Sequence, residues 1–245
     1  MSTNPRRDAA HRRPSARSPL AAHRICHLTP EAKAAIPMAK SGDGTTPVGR
    51  FHYATLLRNR PQVLTAWGIN SDDPSVLDRV AEQLGGTLQQ LDGNTLSLTT
   101  NTTAVEVILT GPDAVQLRWC RNARHACDGR VQHDDGVRRP CTCPPSLAER
   151  RAATRHGHGC EPDVDVAFRL LQDPRLGMFA FTSGSWSLAE DVMRAEEVLR
   201  TWGEPGLARL CLHRTPCTLA GGLVISCTTP RLTVLAQRAT PRVVG

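Results

Sequence analysis

The chain has 245 residues, 40% of them hydrophobic, which is enough for one sizeable core. No run approaches the roughly 18 consecutive apolar residues of a membrane span, and the first residues lack the apolar stretch of a signal peptide, so a soluble, cytoplasmic protein is expected. The net charge of +7 suggests nucleic acid, but residues 1–50 carry nine basic and three acidic side chains, leaving only +1 for residues 51–245; a body built to neutralise phosphates would hold more of the charge itself.

Residues 1–46 mix Arg, Pro, Ser, Ala and Gly without periodicity, the composition of a disordered basic tail. A single α+β domain is expected over residues 47–240. It should open with "RFHYATLL" (50–57) and "QVLTAWGI" (62–69), two strands joined by a turn at "RNRP". In "DDPSVLDRVAEQLGG" Asp73 is placed to cap a helix and Pro74 suits its first position. Val76, Leu77, Val80 and Leu84 share one face of it, and Gly85 and Gly86 end it. Three strand-like segments follow, "TLSLTT", "TAVEVILT" and "AVQLRWC", punctuated by Gly111 and Pro112.

Beyond a cysteine-rich stretch, Val164, Val166, Phe168 and Leu170 alternate at period two, and "DPRLG" turns the chain into "MFAFTS". A second main helix is expected in "SWSLAEDVMRAEEVLRTWG". Ser187 and Glu190 have capping-box spacing there, and Leu188, Val192, Ala195, Leu199 and Trp202 form an apolar seam that Gly203 closes. "LARLCLH", "GLVISCTT" and "RLTVLA" return to strand composition. The sum is an α+β fold, mainly antiparallel sheet with two principal helices, plus a cysteine-rich insertion at residues 120–160.

That insertion carries the strongest chemical signal. Cys127, Cys141, Cys143 and Cys160 sit in a polar, turn-rich segment, two of them in "CTCPP", a turn able to present two thiolates to one point. Residues 118–160 are net +5, and cations stabilise the negative charge that four thiolates leave around Zn²⁺. With almost no apolar core of its own, an ordered insertion depends on a staple, and structural zinc on the four cysteines is the expected one. Alternatives are a site in which His133, His156 or His158 replaces a cysteine, and reduced thiols in a flexible loop. A short helix is expected in "PSLAERRAATRHG", closed by Gly157. Cys120 is expected to be a packed thiol, and Cys211, Cys217 and Cys227 core thiols, the alternative for these three being a second site with His213.

No phosphate-binding glycine loop with its lysine, dinucleotide fingerprint or nucleophile elbow occurs, and four cysteines around zinc leave no open position for catalysis. The expectation is a binding protein, not an enzyme.

The segments "GRFHYATLLRNRPQVLTAWGINSDDPSVLDRVAEQLGG", "AVEVILTGPDAV", "CDG…PCTCPPSLAERRAATRHGHGCEP" and "LGMFAFTSGSWSLAEDV" come in an order that resembles the recombination directionality factors of temperate actinobacterial phages with large serine integrases. The resemblance covers roughly residues 48–236. It implies a protein that binds the integrase and moves it from integration toward excision, recombining attL with attR, and that contacts DNA through the integrase complex if at all. The alternative is a zinc-dependent DNA-binding regulator. For the partner surface the expected residues are Arg138, Arg139, Arg150 and Arg151 of the cysteine segment and Glu190, Glu197 and Arg200 of the second main helix.

Overall fold

A computed structural model describes residues 46–57, 60–90, 96–122, 125–134, 137–157, 159–218 and 222–238; the expected basic tail lies outside them. The chain begins with β1 (Gly49–Leu57) and β2 (Arg60–Ser71), paired antiparallel with a register shift between His52 and Ala54. Helix α1 (Pro74–Leu84) follows as its end signals dictate: the Asp73 carboxylate accepts the Ser75 N–H at 2.9 Å, and Val76, Leu77 and Val80 are buried. Next come β3 (Thr87–Gln90), β4 (Leu96–Thr99), β5 (Ala104–Leu109) and β6 (Val115–Asn122).

The cysteine segment is more regular than a polar loop. It holds three short strands, β7 (His125–Cys127), β8 (Val131–Asp134) and β9 (Val137–Pro140), and the expected short helix, α2 (Leu147–Arg155). Ser146 and Glu149 form a reciprocal capping box at the start of α2. Beyond it, β10 (Glu161–Leu170) buries every second residue, and β11 (Phe179–Ser183) returns beside it. Helix α3 (Trp186–Trp202) starts two residues earlier than the capping-box reading implies: Ser185 is the cap, its hydroxyl accepting the Leu188 N–H, and Ser187 lies within the first turn. The seam residues Leu188, Val192, Ala195 and Leu199 are buried as expected.

The chain ends in a long hairpin, β12 (Gly206–Thr218) and β13 (Val224–Gln237). Two segments read separately in the sequence are one strand, because Pro230 sits in β13, whose other edge has no partner among the described residues; a missing N–H costs little there.

The strands run in the order β3-β4-β2-β1-β11-β10-β6-β7-β8-β9, and the end of β10 also pairs with β5, which continues through β12 to β13. Pairing is antiparallel apart from β1 on β11, so the fold is α+β and mainly antiparallel. Helix α1 packs on β2 and β4, and α3 on β13, β10 and β6. Between them lies the main core, with Phe51, Trp67, Phe168, Phe179 and Phe181 in edge-on and stacked contacts of 5.1–6.2 Å. A smaller cluster of Trp119, Cys127 and Cys160 sits at the β6–β7 end, under the cysteine segment.

Candidate metal centre

Tight turns bring the cysteines together. After Cys127 the chain reverses within Asp128–Arg130. The Asp128 carboxylate accepts the N–H groups of Arg130 and Val131 at 2.8 and 2.7 Å, and Gly129 adopts φ 94°, a conformation costly for any residue with a β-carbon. The Cys141 N–H bonds to the Arg130 carbonyl at 2.8 Å, which sets the second turn against the first. Backbone N–H groups then point at sulfur: Gly129 donates to the Cys127 thiol, and the Cys143 N–H lies 3.4 Å from the Cys141 sulfur. Cys160 arrives from the far end of α2. The Thr154 hydroxyl donates to the Cys160 carbonyl at 3.0 Å, and a β-carbon on Gly159 would collide with the Thr154 backbone.

The sulfurs of Cys127, Cys141 and Cys143 lie within 4.8 Å of one another. Cys127 and Cys141 are 3.2 Å apart, and Cys160 stands 3.2 Å from Cys143, so the fourth sulfur joins the group through Cys143. Cys127 and Cys160 are buried, Cys141 and Cys143 half-buried, and all four are free thiols. Burial and the neighbouring Cys141 push Cys127 up to about 12, and burial with Cys160 pushes Cys143 up to about 11. For Cys141 burial acts upward too, but the Cys143 N–H, the adjoining thiols and the charge of Arg150 outweigh it and hold it below the ordinary thiol value.

The expected donors that do meet are all cysteines. His156 is exposed at the end of α2, and the expectations for His158 and the side chains of Cys120 and His133 fall outside what is described. Two of the expected core thiols are placed differently: Cys217 and Cys227 are half-buried and bonded to each other across the outer part of the β12–β13 hairpin, while Cys211 is buried. The "ISC" stretch is apolar like an interior strand but extends past the core, leaving Leu223, Val224 and Ile225 exposed.

Of the expected partner-contact residues, Arg138 and Arg139 are exposed on β9 and Arg151 is exposed on α2; none forms an ion pair among the described residues. Arg150 differs from them in exposure. It is 4% exposed, its guanidinium stacked 4.6 Å above the Trp119 ring, because α2 turns this side chain inward onto β6. On α3, Glu190 pairs with Arg194 at 3.0 Å and Arg200 with Glu196, so that face is largely self-neutralised, with Glu197 exposed beside them.

A family model described as Gp3-like, recombination directionality factor-like, matches residues 29–214. The chain belongs to that family. The match takes in all four grouped cysteines and α3, and ends within β12, so the outer hairpin and β13 lie beyond it. Members of the Gp3-like family are accessory factors of recombination rather than enzymes. No solved structure matches the chain.

Proposed function

We propose that this protein binds a large serine integrase and shifts it from integration toward excision, favouring recombination of attL with attR. The supporting observation is membership of the directionality-factor family across three quarters of the chain. The physical basis is a shift of populations: a factor that binds the excision-competent arrangement more tightly changes the ratio of outcomes without supplying chemical energy. Reversing a preference from 1:99 to 99:1 takes about 5.5 kcal/mol of differential binding, within reach of a moderate protein interface. The contact residues in this reading are Arg138, Arg139 and Arg151 on the cysteine module and Glu190, Glu197 and Arg200 on α3. The factor works in the bacterial cytoplasm, with no small-molecule substrate and no chemistry of its own.

In the same reading the cysteine module is ordered by structural Zn²⁺ on Cys127, Cys141, Cys143 and Cys160. The donor set supports it: soft sulfur ligands, backbone N–H groups aimed at two of them, and three of the four already within the span of one coordination sphere. Zinc would supply a charge that keeps all four as thiolates and ties β7, the "CTC" turn and the end of α2 to one point.

Co-elution with the cognate integrase in gel filtration tests the partner. A stable complex formed without DNA supports the reading. Tight binding to duplex DNA without integrase, weakening steeply with salt, would favour a DNA-binding regulator acting through the exposed arginines of the cysteine module instead.

A further inference from the structure

We propose that Arg150 is the buried counter-ion of an anionic cysteine–metal centre and couples the state of that centre to Trp119 and, through it, to α3. The inference rests on the reading that the cysteines hold a metal. It begins from an anomaly in polar bookkeeping. Arginine is almost never fully buried without a partner of opposite charge, because leaving water costs the guanidinium several kcal/mol. Arg150 is 4% exposed, yet among the described residues it forms no ion pair with any carboxylate. Its Nη2 donates to the Gly129 carbonyl at 3.3 Å, its Cζ sits over the Trp119 ring, and its Nη1 is buried with no acceptor among the described residues. Its sequence neighbour Glu149 is engaged in the cap of α2, and Asp128, beside the Gly129 that it touches, in the turn after Cys127.

The negative charge within reach is on sulfur. Arg150 acts electrostatically on Cys141, and Gly129, whose carbonyl it holds, donates its own N–H to Cys127. Four thiolates on a divalent ion leave a charge of about −2 in a small volume, the partner that a buried guanidinium with a free Nη1 lacks. Arg150 is therefore a positioning residue. It fixes the Cys127 turn, compensates the thiolate charge and presses on Trp119, whose ring lies 5.5 Å from that of Trp186, the first residue of α3. Metal occupancy is thereby linked to the start of the helix that carries half of the proposed partner surface.

Zinc content and affinity of the full chain, by elemental analysis and competition with a chromophoric chelator, test this for wild type, Arg150→Met and Arg150→Lys. Sulfur-to-cobalt charge-transfer absorption is read after Co²⁺ substitution. The expected results are about one zinc per chain, a loss of about 10- to 100-fold in affinity with shifted cobalt bands in Arg150→Met, and partial recovery in Arg150→Lys, which keeps the charge. Wild-type affinity in Arg150→Met overturns the counter-ion role while leaving the metal reading intact. A wild-type chain without zinc overturns both. Should Arg150→Met fail to fold, the wild-type and Trp119→Phe chains decide: chelation must change tryptophan emission in the first and much less in the second, and an equal response refutes the coupling.

Discussion

Asp191, on the inward side of α3, receives Nε and Nη2 of Arg231 in β13 at 2.6 and 2.9 Å, and the Leu232 N–H at 3.0 Å as well. With Arg194 adding a bond at 2.6 Å from the same helix, a carboxylate 3% exposed has its oxygens fully engaged. This pair ties α3 to the edge of the sheet, while Trp186 ties its start to the cysteine module.

We predict that Asp191→Ala destabilises the fold by about 3–5 kcal/mol, since it strands Arg231 and the Leu232 N–H, while Arg194 keeps its bond to Glu190. Arg231→Ala should cost less, because Arg194 and the Leu232 N–H still serve the carboxylate. Urea unfolding of the two single variants and the double variant measures the coupling; additive effects would show that the pair does not act as a unit.

Metal removal should act locally. Chelation is expected to raise amide exchange across residues 125–160 and leave β10, β11 and α1 protected, because the main core is separate from the Trp119 cluster. Acid should do the same. Cys127 and Cys143 bind protons tightly when burial alone acts on them, so protons compete with the metal and its affinity should fall as pH drops from 7 to 5. Zinc retention independent of pH would contradict this.

His52 lies against Gly68 across the β1–β2 pair, where a β-carbon on Gly68 would run into the imidazole. Burial lowers the His52 pKa below its ordinary 6.5, and a bond to the Arg50 backbone only partly opposes this. The unfolded chain therefore binds the proton more readily than the folded one. Stability should be constant above about pH 6.5 and fall as pH drops through and below that value, a slope that His52→Phe abolishes. Gly68→Ala should be destabilising at every pH. Thermal melts between pH 5 and 8 check both statements.

Much of this was legible in the sequence. Asp73, Pro74 and Gly85 fix α1 because each end signal is a local backbone requirement, and the alternation from Val164 to Leu170 survives because both faces of β10 meet different surroundings. The cysteine spacing singled out Cys127, Cys141 and Cys143, whose sulfurs lie within 4.8 Å of one another, and Cys160, 3.2 Å from Cys143. Strands β7 to β9 left no such trace: each is three or four residues long and polar, and β9 is exposed throughout, so no periodicity builds up. Arg150 and Arg151 are indistinguishable in sequence, since only the rotation of α2 on Trp119 decides which is buried. Asp191 had one clue, an acidic residue directly beside Val192 in the apolar seam, but its partner lies 40 residues away.

Charge reversal on the arginine face should separate partner binding from stability. Arg138→Glu with Arg139→Glu alters exposed side chains that have no described ion pair, so melting should shift by less than about 0.5 kcal/mol equivalent. Affinity for the integrase should fall about tenfold or more, mainly through slower association. Surface plasmon resonance against the integrase measures it, and unchanged kinetics would remove β9 from the contact surface.

The most direct test is a recombination reaction with purified cognate integrase, run on attP with attB and on attL with attR, with and without stoichiometric factor. The account predicts that the factor stimulates attL × attR and suppresses attP × attB. If neither reaction changes while integrase and factor are both folded and active in binding controls, the proposed role is wrong.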